Sequence, residues 1–193
     1  MSTILHVQDH SLAMDDSELV IQASNSAEAF AELYRRHVAG VYRYHLVHTG
    51  SIRDAEDLTS QTFMAALEGL RSYRSEGSFA AWLMGIAARK KALFFRGHRW
   101  DSLPLDAVLD VPAPGLSTDQ AVFQHLQFEK VHRALRHISP DRAEVITLSF
   151  FGGLTASEIG RVLGKNDAAV KMLLSRGLRD LRERTSLALE VKK

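Results

Sequence analysis

Residues 155–181 read TASEIGRVLGKNDAAVKMLLSRGLRDL. Thr155 and Glu158 have the T-x-x-E spacing of a capping box, in which the two side chains satisfy backbone N–H groups left open at a helix start. Ile159, Val162 and Leu163 give that helix one apolar face. Gly164 suits a left-handed stop, and Asn166 can cap the following helix, so the connection is about three residues long. So short a connection sets two helices at a steep angle, the first bracing the second so that the second can lie in a DNA major groove. Gly160, small and mid-helix, permits close approach. In the second helix Val170, Leu174, Leu178 and Leu181 recur every three or four residues and are expected to face inward. That leaves Asn166, Asp167, Ala168, Lys171, Met172, Ser175, Arg176 and Arg179 outward. Near the helix start they are small or polar, as base edges require; further along they are cationic, as phosphates require. The plainer alternative is a helical hairpin with a wet basic face.

Outward from this stretch the chain keeps a helical rhythm. Ser139-Pro140 opens a helix with proline in its first turn, and Gly152-Gly153 closes it. Asn25 and Glu28 have capping-box spacing, after which Phe30, Leu33, Tyr34, Val38, Val41 and Tyr42 recur at helical intervals. Residues 53–70 repeat the pattern with Ala55, Leu58, Thr62, Phe63, Ala66 and Leu70. Further runs extend from Phe79 to about Arg96 and from Asp119 to His137 after a Thr118 cap. Three of the four prolines, Pro104, Pro112 and Pro114, fall between Asp101 and Thr118, where neither helical nor alternating periodicity holds. The pattern predicts an all-α protein of two small helical domains: a tail at 1–14, a domain at 15–100, a linker at 101–118, and a helix-turn-helix domain at 119–193.

Charge is segregated along the 193 residues although the net value is +1. Residues 15–76 hold six basic and ten acidic side chains, whereas 77–100 hold five basic and no acidic ones. Residues 101–128 carry four Asp and no Lys or Arg, and 129–193 carry thirteen basic against eight acidic residues. Such alternation suggests polyanions as partners for the basic blocks and a cationic surface for the acidic ones. No run approaches the ~18 apolar residues of a membrane span, so no membrane insertion is expected. The first fourteen residues, without Lys or Arg, do not read as a secretory signal. The absence of cysteine excludes disulfides and thiolate zinc sites and fits a cytoplasmic setting. Nine scattered histidines form no His-x-x-x-His pair on an expected helix, so neither a metal site, a cofactor nor an enzymatic nucleophile is expected. His45, His48, His132 and His137 are expected at the surface or in grooves.

Four segments together narrow the reading. SIRDAEDLTSQTFMAA (51–66), SFAAWLMGIAARKKALFFRGHR (78–99), LRHISPDRAEVITLSFFGGLTASEIG (135–160) and VKMLLSRGLRDLRE (170–183) resemble, in order, the extracytoplasmic-function branch of the bacterial RNA polymerase sigma factors. The resemblance implies that the acidic helix docks on the clamp helices of the polymerase largest subunit through Asp54, Glu56, Asp57, Gln61 and Met64. Carboxylates on a helical face can pair with partner arginines, although in a first turn they also answer the helix dipole. RSYRSEGS (71–78) is similar to the family loop that captures a flipped minus-10 base. Tyr73, Arg74, Ser75 and Glu76 are the pocket candidates implied, with Arg89, Lys90, Lys91, Arg96 and Arg99 meeting phosphates. Phe79, Trp82 and Ile86 share helical spacing and read as core. The helix-turn-helix is then the minus-35 reader, through Asn166, Ala168, Lys171, Met172, Ser175, Arg176 and Arg179.

The chain departs from that pattern in one place. Relatives usually read I-A-R-N with Asp four residues later; here Ile86-Ala87-Ala88-Arg89 and Leu93 stand instead. The acidic linker is similar to the family segment that threads the polymerase channel. The whole reading is a dissociable specificity subunit that recruits core polymerase, binds two promoter elements and helps melt DNA; the phosphoryl chemistry belongs to the polymerase. The alternative is a plain helix-turn-helix regulator binding duplex DNA without the polymerase core, which usually needs a two-fold symmetric site. An anti-sigma factor commonly clamps the two domains of such proteins; no motif here records one.

Overall fold

The computed structural model describes residues 14–74, 77–97 and 128–190, and among these every regular element is helical. The expected linker and residues 119–127 lie outside the described residues, as do Ser75, Glu76 and Arg99. Helix α1 (Asp16–Ala23) is an element that the apolar pattern does not single out. Its start is a full capping box: Glu18 N–H donates to Asp15 Oδ1 at 2.9 Å, and Asp15 N–H to Glu18 Oε2 at 3.3 Å. Leu19, Val20 and Ala23 are buried beneath it. Asp16 then holds α1 to the next helix through Arg36 at 3.0 Å and His37 at 2.6 Å.

Helix α2 (Ala27–Thr49) begins one residue later than the Asn25–Glu28 spacing suggests. Ser26 is the cap, its hydroxyl accepting from Ala29 N–H and donating to the Glu28 carboxylate. Asn25 belongs to the preceding turn, where its N–H donates to Gln22 O. At the far end Gly50 adopts φ +69°, the left-handed stop that ends α2, and Ser51 caps α3 (Ile52–Gly69) immediately. This two-residue link lays α3 alongside α2. A 3₁₀ turn (Leu70–Ser72) closes α3, and α4 (Phe79–Gly97) follows. Phe79 is buried, with Trp82 and Ile86 packed against the same core, as their spacing indicates.

The C-terminal half contains α5 (residues 128–136), α6 (Pro140–Phe150), α7 (Ala156–Leu163) and α8 (Asp167–Glu190). The Thr155–Glu158 capping box forms, Gly164 takes φ +64°, and Asn166 Oδ1 accepts from Ala169 N–H at 2.8 Å to cap α8. The turn is tight because a Cβ on Gly160 would stand 2.5 Å from the Lys165 carbonyl oxygen. One inward position differs from the sequence pattern: Leu178 is 38% exposed. Gly177 takes the inward place, with its missing Cβ 2.8 Å from Ile146 Cδ1, so α8 lies directly on α6. The inward stripe therefore runs Val170, Leu174, Gly177, Leu181, one residue short of Leu178 at its centre.

The two halves share one core. Leu33, Val41 and Tyr44 of α2 and Leu83 and Met84 of α4 pack in one cluster with Val145 and Leu148 of α6, Ile159 of α7 and Val170 of α8. Val47 of α2 joins Leu135, Ile138, Ala143 and Ile146 in a second cluster. Backbones approach closely here, since a Cβ on Gly40 would lie 2.5 Å from the Phe151 carbonyl oxygen. Each fully buried side chain of this size contributes about 1.5–3 kcal/mol.

Gly160→Ala tests the tightness of the turn. The added methyl meets backbone rather than a movable side chain, so a loss of about 1–3 kcal/mol is expected, read as a lowered thermal midpoint with helical content retained.

Candidate nucleic-acid interface

Three surfaces bear on the assigned residues. On α3, Glu56, Asp57 and Gln61 are exposed, and Met64 is 63% exposed; Asp54 is half-buried at the capped start, where Ser51 accepts its N–H. Leu67, 53% exposed and three residues beyond Met64, extends this face with a second apolar side chain. Its helical offset from Met64 was the available signal. Carboxylates beside bare methionine and leucine are unusual on a free surface and suit a partner that is both cationic and apolar.

On α8, Asn166, Asp167, Ala168, Lys171, Met172, Ser175, Arg176 and Arg179 are all exposed. Ala168, Met172, Ser175 and Arg179 succeed each other at three or four residues and so lie along one side of the helix. Lys171 pairs with Asp167 at 3.2 Å, an exposed contact that water competes with and that yields readily to another partner. The brace beneath is firm: Arg142 of α6 is ion-paired with Asp180 of α8, and Lys165 in the turn pairs with Asp141 at 3.0 Å.

The minus-10 candidates divide. Arg89 and Arg96 are exposed and Lys90 is half-buried on α4. Arg74 is exposed beside the loop. Tyr73, in contrast, donates its hydroxyl to Gly77 O at 2.7 Å, and its ring lies 5.2 Å from that of Trp82. It pins the two ends of the loop together as well as lining it. Lys91 departs furthest from the expectation. Its side chain is 14% exposed, ion-paired with Glu144 of α6 and 5.1 Å over the Tyr44 ring. The reason is register: Lys91 follows the buried Met84 and Ala87 on the inward face of α4 and so points toward Glu144.

Three of the four histidines expected at the surface or in grooves lie inside instead. His45 and His132 are buried and the His48 side chain is 13% exposed, while His137 is exposed. Thr62 Oγ1 donates to Leu58 O and therefore accepts from His45 Nε2–H at 3.1 Å, which leaves His45 Nδ1 bare and without a partner among the described residues. Thr147 Oγ1 likewise donates to the carbonyls of Ala143 and Glu144 and accepts from His48 Nε2–H at 2.9 Å. His132 Nδ1 meets Val47 O at 2.8 Å. Tyr44 donates its hydroxyl to Glu144 Oε1 at 2.6 Å. Burial lowers the His45 pKa to about 3 and holds that of His48 well below its ordinary value, the nearby Lys91 ammonium adding to both. Burial also raises the Tyr44 phenol and lowers the Lys91 ammonium, the latter opposed by Glu144.

Residues 32–101 match the family described as Sigma-70 region 2, and residues 128–181 match Sigma-70, region 4. The RNA polymerase sigma factor CarQ of Myxococcus xanthus is 31% identical over 81% of this chain and 88% of its own length. The chain belongs to the extracytoplasmic-function sigma factors. BldN of Streptomyces coelicolor, named as an ECF RNA polymerase sigma factor, is 36% identical over 85% of the chain and 63% of its own length. SigE of Mycolicibacterium smegmatis is 32% identical over 79% and 60%. The chain thus spans about three fifths of the length of these two relatives. In fold it is similar to CnrH, solved with the cytosolic domain of CnrY, at a TM-score of 0.69 and 23% identity over 92% of this chain and 99% of that one. Among the described residues no helix of this sigma factor is long and apolar enough to cross a membrane.

The neutral histidines of this sigma factor give its stability a pH dependence. In the unfolded chain both titrate near 6.5, while in the folded chain they stay neutral well below that. The unfolded state therefore binds more protons below pH 6.5, and stability falls as pH drops from about 6.5 toward 3, by up to about 1.4 kcal/mol per pH unit for each histidine. The thermal midpoint should decline between pH 6.5 and 5, above the range where carboxylates titrate, and His45→Gln should flatten the decline while keeping a donor for Thr62.

Proposed function

We propose that this chain is a dissociable promoter-specificity subunit of bacterial RNA polymerase, acting in the cytoplasm. It recruits the core enzyme through Asp54, Glu56, Asp57, Gln61 and Met64 of α3, to which we add Leu67. It reads the minus-35 duplex with the outward face of α8, from Asn166 and Ala168 through Lys171, Met172, Ser175, Arg176 and Arg179. Asn166 contributes its amide NH₂ there, since its oxygen caps the helix. At minus-10 the loop Tyr73, Arg74, Ser75 and Glu76 holds an extruded base, and Arg89, Lys90, Arg96 and Arg99 hold phosphates, while Lys91 is engaged by Glu144. Extruded bases must gain stacking and polar contacts as they leave the duplex, because the sigma subunit supplies no nucleotide hydrolysis. Polymerisation chemistry belongs to the core enzyme.

The observation that supports this reading over a plain duplex-binding regulator is the pairing, in one chain of this family, of a helix-turn-helix face with the separate acidic and apolar face on α3. A regulator that only bound duplex DNA has no use for the second. A protein bound as the cytosolic domain of CnrY is bound to CnrH is a natural further partner.

Substitutions on α8 should divide into two kinds. Lys171→Ala is expected to relax sequence preference at a cost of about 1–3 kcal/mol against the best site, whereas Arg179→Ala weakens all sites alike and lowers the salt slope by about one. Titrations of specific and random duplexes at several salt concentrations separate the two; equal effects from both variants would refute the assignment.

The α3 face separates sigma subunit from plain regulator. Replacing Glu56 and Asp57 with Lys turns attraction to a cationic partner into repulsion worth several kcal/mol, while the fold loses little because both side chains are exposed. Pull-down with core polymerase and run-off transcription should both fail with the variant, and duplex binding should persist. Undiminished capture removes the interface from α3.

A further inference from the structure

On the outer side of α4, away from the Glu144 junction, one apolar side chain has an unusual setting. Leu93 is 52% exposed and belongs to neither apolar cluster. A single exposed leucine means little by itself. This one stands between two cations: Arg89, four residues before it, and Arg96, three residues after it, are exposed on the same side of the helix. Ala92, exposed beside it, is too small to screen it. No acidic residue occurs in residues 77–100, so neither guanidinium has a counter-ion on its own helix. The face is an apolar spot framed by two positive charges about 10 Å apart along the axis, seven residues at 1.5 Å each.

A DNA strand held by Arg89 and Arg96 through its phosphates must bring a non-phosphate part over Leu93. Deoxyribose offers carbons at every nucleotide, but thymine alone among the four bases carries a methyl group, the apolar feature that small and aliphatic side chains read. Position along the helix separates this contact from the loop. The Tyr73 ring meets α4 at Trp82, eleven residues before Leu93, which puts the leucine about 16 Å further along the axis. The nucleotide over Leu93 is therefore a different one from the base assigned to the loop.

We propose that Leu93 is a specificity-determining residue of this chain, packing on the methyl group of one minus-10 thymine while Arg89 and Arg96 hold the phosphates on either side. The inference rests on the reading of α4 as the minus-10 side of a sigma subunit. The two cations supply attraction to any sequence, and the leucine between them supplies the choice of base. Because Leu93 is exposed and outside both clusters, its substitution leaves the buried packing intact, so base preference and stability can be measured apart.

Holoenzyme assembled from the full chain and core polymerase is first run on a library of upstream sequences. Absence of any transcript overturns the sigma reading and the role of Leu93 with it, whereas the later steps bear on the leucine alone. Among the transcribed sequences a minus-10 thymine should be selected. Replacing that thymine with deoxyuridine, which removes the methyl group and nothing else, should weaken promoter binding by about fourfold, the factor equivalent to the ~0.8 kcal/mol of one buried hydrocarbon unit. Leu93→Ala and Leu93→Asn holoenzymes should bind the thymine and deoxyuridine promoters equally, while Leu93→Met, still apolar, should keep the discrimination. The thermal midpoints of the three variants should stay near that of the parent chain. A library with no selected minus-10 thymine overturns the proposal, as does a parent holoenzyme indifferent to deoxyuridine at every minus-10 position or a Leu93→Ala holoenzyme that still discriminates. Equal weakening of both promoters by Leu93→Ala, with the parent's preference for thymine unchanged, overturns it too and assigns the leucine to sugar contact or to the helix itself.

Discussion

A carboxylate withdrawn from water must be met by opposite charge and hydrogen bonds, because an isolated buried charge costs several kcal/mol. Glu144 is such a group. It stands where α2, α4 and α6 converge, and the ammonium of Lys91, the hydroxyl of Tyr44 and the edge of His48 close around it. Around this polar centre the apolar contacts are arranged in two clusters, each drawing side chains from both halves of the chain. The charged contact contributes little net stability of its own. What it supplies is registration: the clusters alone would tolerate sliding of α6 over α2, while two donors converging on one carboxylate do not.

The surfaces proposed to meet partners are built differently. Among the described residues, no hydrogen bond or ion pair ties the assigned outward side chains of α3 and α8 to another helix, and Lys171 meets only Asp167 of its own helix. Their positions come from the buried faces of the same helices. The capping box at Thr155 and the left-handed Gly164 orient α8, and Ser51 with Gly50 orients α3. A rigid inner face and a loose outer one is the arrangement that lets a surface adapt to DNA or polymerase without loss of aim.

Much of this was legible from residue order. Helix starts and stops depend on neighbours three or four positions away, so Thr155–Glu158, Gly164, Ser139-Pro140 and Gly160 announced themselves. The outward face of α8 followed from the same periodicity, and so did the core role of Phe79, Trp82 and Ile86. The exceptions are also informative. Ser26 displaced Asn25 as a cap because two good capping residues stood side by side, and Gly177 displaced Leu178 because backbone approach to α6 favoured the smaller residue. Lys91 and the three buried histidines could not be read, since their partners Glu144, Thr147 and Val47 lie on elements far away in sequence. A basic residue on an apolar register, as Lys91 is with Met84 and Ala87, is the one local hint that a distant acid completes it.

Gly177 carries a mechanical consequence. With no side chain between them, α8 rests directly on Ile146 and Arg142 of α6, and Arg142 is clasped by Asp180 on the following turn. Helix α8 and the helix that bears Glu144 thus form one lever. A hinge inserted anywhere between them would cost this packing, so the natural place to bend is the chain on the other side of α6. A tilt imposed on α8 would be passed to α6, and so to the seam at Glu144, through this contact.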